Sequence, residues 1–362
     1  MTAPGAVRVM LCDDSPTART AMARVLEADP QLRVVARAGD GRQALEMLGA
    51  LAPEDRPQVM LLDLEMPVMD GMTVLPLLLR AQPRLAVIVA SALTHKGAEA
   101  SMAAMRAGAA DYLPKPGAAG GGVRDPAFQA ELLAKVKGWA RMRAQPPARA
   151  APVRPALAAA RAGLPGPRPR VVLVGSSTGG PQALAAFVRA LRVPLPVPVV
   201  VVQHMPAGFT AMLADHLGRL GGPPAAEARD GETLRAGRIY LAPGDRHLLV
   251  EASAGGLVAR LNSGPPENFC RPAVDPTLRS LVAACEGRVT AVILTGMGSD
   301  GMRGCQALAA AGGLVMAQDE ASSVVWGMPG AVAKAGLAQA LLPPEQLAER
   351  VAAQFNAMGG AA

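Results

Sequence analysis

The sequence lacks any apolar run long enough to cross a membrane. Of its 362 residues 51% are hydrophobic, but only 2% are aromatic and much of the apolar content is alanine. The longest candidate run, residues 197–202, is followed directly by Gln203 and His204, whereas a transmembrane helix needs about 20 apolar residues. The first residues also lack the pattern of a signal peptide. We therefore expect a cytoplasmic protein without membrane insertion.

Cysteine is also scarce, with four residues in the chain. None of them forms a CxxC pair, and their spacing matches no zinc motif. We interpret them as small buried hydrophobic residues in a reducing compartment. They are Cys12, Cys270, Cys285 and Cys305.

Outside residues 141–170 the chain has almost no excess of basic over acidic residues. The net charge is +7, and seven arginines with no acidic residue lie between Arg141 and Arg170. A nucleic-acid interface needs a basic patch on a folded face, and the C-terminal half has no basic recognition helix. The sequence therefore predicts no nucleic-acid partner, which disfavours a DNA-binding regulator.

Short apolar runs alternate with amphipathic stretches in two parts of the chain. The pattern predicts an α/β fold with two doubly wound domains and mostly parallel sheets. The first domain, residues 1–140, has the (βα)5 alternation of flavodoxin-like folds, with strands predicted at residues 7–12, 32–36, 59–64, 85–90 and 110–113. The second domain, residues 170–358, is Rossmann-like, with strands predicted at residues 171–174, 197–202, 238–242, 248–251, 289–294 and 314–317. Residues 141–169 are rich in Arg, Pro and Ala and are predicted to be an extended linker.

Charged and hydroxyl side chains follow several strands of the first domain. Asp13 and Asp14 follow the first strand, Asp63 ends the third, Ser91 ends the fourth and Lys115 follows the fifth. Ligands of open parallel sheets bind at this edge. Adjacent carboxylates suit Mg²⁺, and a carboxylate beside Mg²⁺ can attack a phosphoryl group. Helix capping by residues 13–16, with Asp and Ser before Pro, and a turn role for Asp63 are the simpler alternatives.

These residues, with the segments 62–71 and 112–116, resemble a response-regulator receiver domain. The resemblance implies that a chemotaxis histidine kinase is the phosphodonor and that Mg²⁺ is the cofactor. It assigns each position a role: Asp63 is the phosphoacceptor, Asp13, Asp14 and Asp63 hold the metal, and Ser91, Tyr112 and Lys115 form the switch.

A G-x-S-x-G pattern around Ser177 follows the first strand of the second domain. This is the setting of a nucleophile elbow. A serine or threonine helix cap and a glycine-rich phosphate loop are alternatives, although the Gly-Lys-Ser/Thr of a nucleotide-binding loop is absent. His204 follows the next strand and Asp300 lies just beyond residues 289–294. Together they make the set that a Ser-His-Asp hydrolase requires.

Five segments of the second domain resemble the protein-glutamate methylesterase of bacterial chemotaxis: residues 175–181, 203–206, 242–247, 271–275 and 294–301. The resemblance implies Ser177, His204 and Asp300 as the triad and Thr178 and Met297 in the oxyanion hole, with no cofactor in this domain. It also implies methylated chemoreceptors as the substrate, glutamine deamidation as a second activity, and a receiver that masks the cleft until it is phosphorylated. The alternative is a non-catalytic regulator whose second domain only binds a partner.

Overall fold

The computed structural model describes residues 5–115, 122–144, 168–191 and 194–356. The chain divides into two compact units, residues 1–146 and 147–362. Most of the predicted linker lies outside the described residues. Among the residues that are described, no helix is both long and apolar enough to cross a bilayer.

The first unit is a five-stranded parallel sheet with strand order β2-β1-β3-β4-β5. Its elements follow the chain as β1 (Val7–Cys12), α1 (Pro16–Glu27), β2 (Leu32–Ala38), α2 (Gly41–Ala50), β3 (Val59–Asp63), α3 (Gly71–Ala81), β4 (Ala86–Ser91), α4 (His95–Arg106), β5 (Asp111–Pro114) and α5 (Pro126–Ala144). β3 and β4 are buried along their whole length, as expected of parallel strands covered on both faces.

Helices of the first unit begin with side-chain caps, among them those from Ser15, Asp70 and Thr94. Ser15 caps α1 by accepting a hydrogen bond from the Ala18 amide at 3.2 Å, and Asp70 caps α3 through the Thr73 amide at 2.7 Å. Ser15 therefore supplies the cap that the capping alternative expected within residues 13–16, and the Asp13 carboxylate accepts from the Ser15 amide at 2.9 Å. Thr94 caps α4, so this helix begins at His95.

The second unit contains a seven-stranded sheet with order β14-β13-β12-β6-β7-β9-β8. All of its pairings are parallel, which confirms the predicted fold class. The elements are β6 (Val171–Ser176), α6 (Gly180–Ala190), β7 (Val199–Gln203), α7 (Phe209–Gly218), β8 (Ala225–Glu227), β9 (Ile239–Leu241), β10 (His247–Ser253), β11 (Gly256–Asn262), α8 (Val274–Cys285), β12 (Val289–Ile293), α9 (Met302–Ala310), β13 (Leu314–Gln318), α10 (Met328–Lys334), β14 (Ala340–Leu342) and α11 (Pro344–Asn356).

The predicted strand at residues 248–251 is not part of the main sheet. It belongs to β10, which pairs antiparallel with β11 as a separate hairpin. The sequence pattern did not predict β8, β11 or β14. β8 and β14 are three-residue edge strands, and such short strands carry almost no periodicity.

Both sheets reverse their strand order beside their first strand. In the first unit β1 lies between β2 and β3, and in the second unit β6 lies between β12 and β7. In open α/β sheets the crevice at such a switch point is the usual ligand site. We therefore expect ligand sites at the residues after β1 and β3 in the first unit. In the second unit we expect one at the residues after β6 and β12.

Candidate active site and phosphoacceptor site

Ser177 and His204 come directly after two paired strands. Ser176 of β6 is in register with Gln203 of β7, and the His204 amide donates to the Ser176 carbonyl at 3.1 Å. The Gln203 side chain ties the two turns together. Its Nε2 donates to the carbonyls of Ser177 at 2.9 Å and His204 at 3.0 Å, and its Oε1 accepts from Ser176 Oγ at 2.6 Å.

The turn after β6 leaves the Ser177 hydroxyl free. α6 is capped by Gly179, with φ 74° and no side-chain hydrogen bond, so the helix-cap alternative for this motif is wrong. A Cβ at Gly180 would lie 1.9 Å from Gln203 Oε1, so only glycine fits between the turn and that amide. Ser177 is half-buried, and among the described residues its hydroxyl has no hydrogen-bond partner.

Asp300 lies at the other side of the switch point and is bonded to His204. His204 Nε2 is 2.7 Å from Asp300 Oδ2, and Asp300 is 1% exposed. The carboxylate also accepts from the amides of Val274 at 2.6 Å and Asp275 at 3.1 Å. These amides open α8, where the helix dipole favours negative charge.

This pairing shifts the pKa values of both groups. Burial lowers the pKa of His204, but the hydrogen bonds to Asp300 and Cys270 outweigh burial and raise the pKa to about 10. Burial raises the pKa of Asp300, but the imidazole and the backbone amides outweigh burial and hold it below its ordinary value. Asp300 is therefore a carboxylate that stabilises the imidazolium.

The second ring nitrogen of His204 faces Cys270 rather than Ser177. His204 Nδ1 is 3.3 Å from Cys270 Sγ. Cys270 is half-buried, whereas the other three cysteines are buried, so the prediction that all four are inert core residues is wrong for Cys270. The structure thus joins His204 to Asp300 and Cys270. It places Ser177 at the adjacent strand end with no hydrogen bond to the ring.

Thr178 and Met297 lie in the turns on either side of Ser177. Thr178 is buried and its carbonyl accepts from Thr295 Oγ1 at 2.9 Å. Met297 is 40% exposed. A Cβ at Gly296 would lie 2.8 Å from Ser177 Cβ, so the Met297 loop packs directly on the serine. Among the described residues, the amides of Thr178 and Met297 donate to no acceptor, as an oxyanion hole requires.

Sequence reasoning missed three residues that support these groups. Gln203 ties the two turns together. Asn268 Nδ2 donates to Asp300 Oδ1 at 2.8 Å and to Asp275 Oδ2 at 3.1 Å, and Asp275 is buried. Gln203 and Asp275 lie in segments that carried the resemblance, but no role could be predicted for them, because each acts through contacts that only the fold brings together. His247 bonds the Pro265 carbonyl and the Ala273 amide, which fits a structural role.

In the first unit, Asp13, Asp14 and Asp63 lie close together. Their nearest carboxylate oxygens are all within 4.8 Å of one another. Asp13 follows β1 and Asp63 ends β3, and these strands are neighbours. Lys115 Nζ, beyond β5, lies 2.5 Å from Asp63 Oδ2 and 2.9 Å from Asp13 Oδ2.

The donor set suits a hard divalent cation. Burial, with Asp13 nearby, outweighs Lys115 and raises the pKa of Asp63. Asp13 Oδ2 is buried and has no well-directed hydrogen bond, although Lys115 lies within ion-pair distance. Clustered carboxylates repel one another unless a cation binds between them, and oxygen ligands of this kind suit Mg²⁺.

The other two predicted switch side chains, Ser91 and Tyr112, have partners other than Asp63. The Ser91 hydroxyl is 2.6 Å from Ser101 Oγ and donates to the Gly97 carbonyl at 3.2 Å, so it contacts α4 and forms no hydrogen bond with Asp63. Tyr112 is buried, with Lys135 Nζ 4.7 Å from its ring centroid. Burial raises the pKa of Tyr112 well above its ordinary value.

Known proteins resemble this chain over nearly its full length. Residues 172–351 match the CheB methylesterase family model, and residues 9–121 match that of the response regulator receiver domain. Protein-glutamate methylesterase/protein-glutamine glutaminase 1 of Paramagnetospirillum magneticum is 48% identical over 371 residues, covering 96% of this chain and 95% of that protein. The corresponding protein of Azospirillum brasilense is 48% identical over 361 residues, covering 94% and 91%.

Among solved structures, the Thermotoga maritima CheB methylesterase catalytic domain is similar with 41% identity and a TM-score of 0.49. The alignment covers 51% of this chain and 98% of the Thermotoga maritima domain. The two full-length relatives decide the family, because each aligns with both units. The chain therefore belongs to the protein-glutamate methylesterase/protein-glutamine glutaminase family of carboxylic-ester hydrolases, with a response-regulator receiver domain ahead of the methylesterase domain.

Proposed function

We propose that this chain is a phosphorylation-regulated methylesterase of a chemotaxis pathway that acts in the cytoplasm. It hydrolyses glutamate methyl esters on chemoreceptors to glutamate and methanol, and it deamidates specific receptor glutamines. The observation that carries the proposal is the pair of half-buried His204 and buried Asp300 beside a serine whose hydroxyl has no hydrogen-bond partner among the described residues. A serine, a base and an orienting carboxylate at one sheet edge are the parts of a serine hydrolase.

The contact of His204 with Asp300 supports Nδ1 as the nitrogen that acts as the base. We assign Nε2–H as the donor to Asp300, which leaves the lone pair on Nδ1. Because Nδ1 contacts Cys270 Sγ in this structure, the ring or the serine side chain must rotate before Nδ1 can take the proton from Ser177. Ser177 Oγ then bonds to the ester carbonyl carbon, the C–O bond to methoxide breaks, and the imidazolium gives its proton to methanol. Water hydrolyses the acyl-enzyme by the same route. For a glutamine, the C–N bond breaks and ammonia leaves.

The negative charge of the tetrahedral intermediate needs donors on the other side of Ser177. The amides of Thr178 and Met297 are the groups we assign to this role. Both are without a described acceptor, and the Gly296 contact holds the Met297 loop against the serine. Fixed donors of this kind need no reorganisation as charge develops.

The receiver, which we place at residues 1–140, regulates the catalytic domain at residues 170–358. Asp13, Asp14 and Asp63 hold Mg²⁺, which neutralises charge during phosphoryl transfer. Asp63 accepts the phosphoryl group from a chemotaxis histidine kinase. Ser91, Tyr112 and Lys115 respond to it, and Lys115 is already paired with Asp63.

The decisive experiment measures methanol release from methylated receptor protein. We expect Ser177→Ala to lower kcat at least ~10³-fold, since removing the nucleophile leaves only binding and the oxyanion hole. Ser176→Ala is the matched control. It removes the neighbouring hydroxyl, which bonds Gln203 instead of facing a substrate. Near-normal turnover by Ser177→Ala would disprove the serine mechanism, and a non-catalytic regulator would release no methanol at all.

A further inference from the structure

A tight turn at residues 267–270 carries an aromatic side chain into solvent. The Glu267 amide donates to the Cys270 carbonyl at 3.1 Å, and the Cys270 amide donates to the Glu267 carbonyl at 2.9 Å. The two central residues, Asn268 and Phe269, have φ of 51° and 62°. Asparagine tolerates this left-handed region, but phenylalanine rarely adopts it. Phe269 is nevertheless fully exposed, at 103%.

The residues on both sides of Phe269 are fixed to the catalytic groups. Asn268 donates to Asp300, and Cys270 lies against His204 Nδ1. Arg279 pairs with Glu267 at 2.6 Å, which holds the start of the turn. The position of the Phe269 backbone relative to the His204–Asp300 pair is therefore fixed, although its side chain has no packing partner.

Folding alone gives no reason for this arrangement. The chain has only nine aromatic residues: five Phe, two Trp and two Tyr. Among the described residues every other one is buried or half-buried. At Phe269 the backbone is strained and the ring is in water, and neither feature stabilises the fold. Strained residues beside a catalytic centre are typically kept for function.

The reaction itself suggests what the Phe269 ring contacts, namely the protein substrate. A glutamate side chain is short, so its ester reaches Ser177 only when the substrate backbone comes close to the cleft. The turn that carries Phe269 contacts Asp300 through Asn268 and His204 through Cys270, so it lies beside the groups that the reacting glutamate must reach. Aromatic side chains at such contacts contribute large apolar area with little loss of rotamer freedom.

We propose that Phe269 is a substrate-recognition residue that packs on aliphatic side chains flanking the reacting glutamate of the protein substrate, and so favours protein-bound esters over free ones. This inference rests on the proposed methylesterase function. The strained turn serves as a rigid arm, because Asn268 and Cys270 tie it to the same groups that perform the reaction.

The test uses full-length protein and two substrates, methylated receptor protein and N-acetylglutamate γ-methyl ester, with methanol release as the readout. For Phe269→Ala we expect kcat/KM to fall about tenfold more on the protein than on the small ester, mainly through KM, as for an interface anchor. Phe269→Tyr should recover most of the loss. Leu341→Ala, which truncates another exposed apolar residue on the edge strand β14, should change neither value.

Phe269→Gly separates recognition from folding. Glycine adopts positive φ without strain, so we expect the same kinetic loss with a urea midpoint no lower than that of the parent. Equal losses on both substrates, or no selective loss on the protein, would overturn the proposal. So would a faster small-ester reaction in Phe269→Ala, which would mean that the ring holds another part of the chain over the cleft. If Ser177→Ala still releases methanol, the proposed function itself fails, whatever Phe269 does.

Discussion

The contacts of His204 set the pH at which the hydrolase can work. Asp300 favours the charged ring and holds the pKa of His204 above its ordinary value of 6.5. The general base must be neutral, so kcat/KM should rise with pH through a midpoint above 6.5. Removing the negative charge in Asp300→Asn lowers the pKa of His204. The midpoint should move to lower pH, and the plateau rate should fall by about 10²–10⁴-fold.

This prediction is checked with pH–rate profiles of the small ester for the parent and for Asp300→Asn. Asn268→Ala is the matched comparison, because it removes a neutral hydrogen bond to the same carboxylate and leaves its charge in place. We expect a smaller shift in Asn268→Ala. An unchanged midpoint in Asp300→Asn would show that the carboxylate does not control the titration of the base.

Because Cys270 contacts the His204 ring, we expect reagents that modify this thiol to inhibit the esterase. A thiol is reactive when it is accessible and lies beside a basic or cationic group, and Cys270 is half-buried against His204 Nδ1. Iodoacetamide should place a carboxamidomethyl group beside the nitrogen that must accept the serine proton. We therefore expect most of the esterase activity to be lost, with one equivalent of label at Cys270.

The activity that remains in Cys270→Ala should be insensitive to iodoacetamide. Cys12, Cys285 and Cys305 are buried, so they should react only after unfolding. Labelled peptides identified by mass spectrometry would check the site. Inactivation of Cys270→Ala at the parent rate would mean that another group is modified.

At the scale of elements, the approach of α3 to the end of β3 depends on Gly71. A Cβ at Gly71 would lie 2.2 Å from the Asp63 carbonyl oxygen, and that backbone cannot move without shifting the phosphoacceptor. Gly71→Ala should therefore destabilise the first unit by about 1–3 kcal/mol. It should also slow phosphorylation of Asp63.

Gly49 is the matched control for this substitution. It lies in α2, it is exposed, and nothing is within 4 Å of a Cβ there. Gly49→Ala should stabilise the unit by about 0.5–1 kcal/mol, since alanine is the better helix former. Urea unfolding of residues 1–146 measures both changes. Equal effects of the two substitutions would contradict the close contact at Gly71.

At the scale of the whole molecule, the two sites should respond differently to loss of a divalent metal. Acetyl phosphate with Mg²⁺ should phosphorylate Asp63 and raise the esterase rate of the intact chain. EDTA should abolish this activation, because Asp13, Asp14 and Asp63 then lose the cation that neutralises them. Basal esterase activity should remain, because the mechanism that we propose for Ser177, His204 and Asp300 uses no metal.

Asp63→Asn gives the control for this experiment. It should keep basal methanol release and lose activation by acetyl phosphate. Activation that persists in Asp63→Asn would place the phosphoacceptor elsewhere. Loss of basal activity with EDTA would contradict the metal-free mechanism of the second unit.

The sequence alone predicted the two α/β units and the strand ends that carry the candidate catalytic and phosphoacceptor residues. This was possible because buried parallel strands read as continuous apolar runs, as in β3 and β7, and because functional residues of such sheets follow the strands directly. Edge strands such as β8 and the hairpin β10–β11 were missed or misplaced, since their pairing depends on distant partners.

Only the tertiary structure decided how the groups meet. Asn268 and Cys270 lie outside the segments that carried the resemblance, and Gln203 lies within one but had no predicted role. These three residues contact Asp300, His204 and the turn at Ser177 across gaps of 26 to 66 residues. The sequence determined that a serine, a histidine and an aspartate would reach one sheet edge. The fold decided that Nε2 faces Asp300, that Nδ1 faces a thiol, and that Phe269 lies in solvent, because side-chain packing depends on distances that sequence order does not encode.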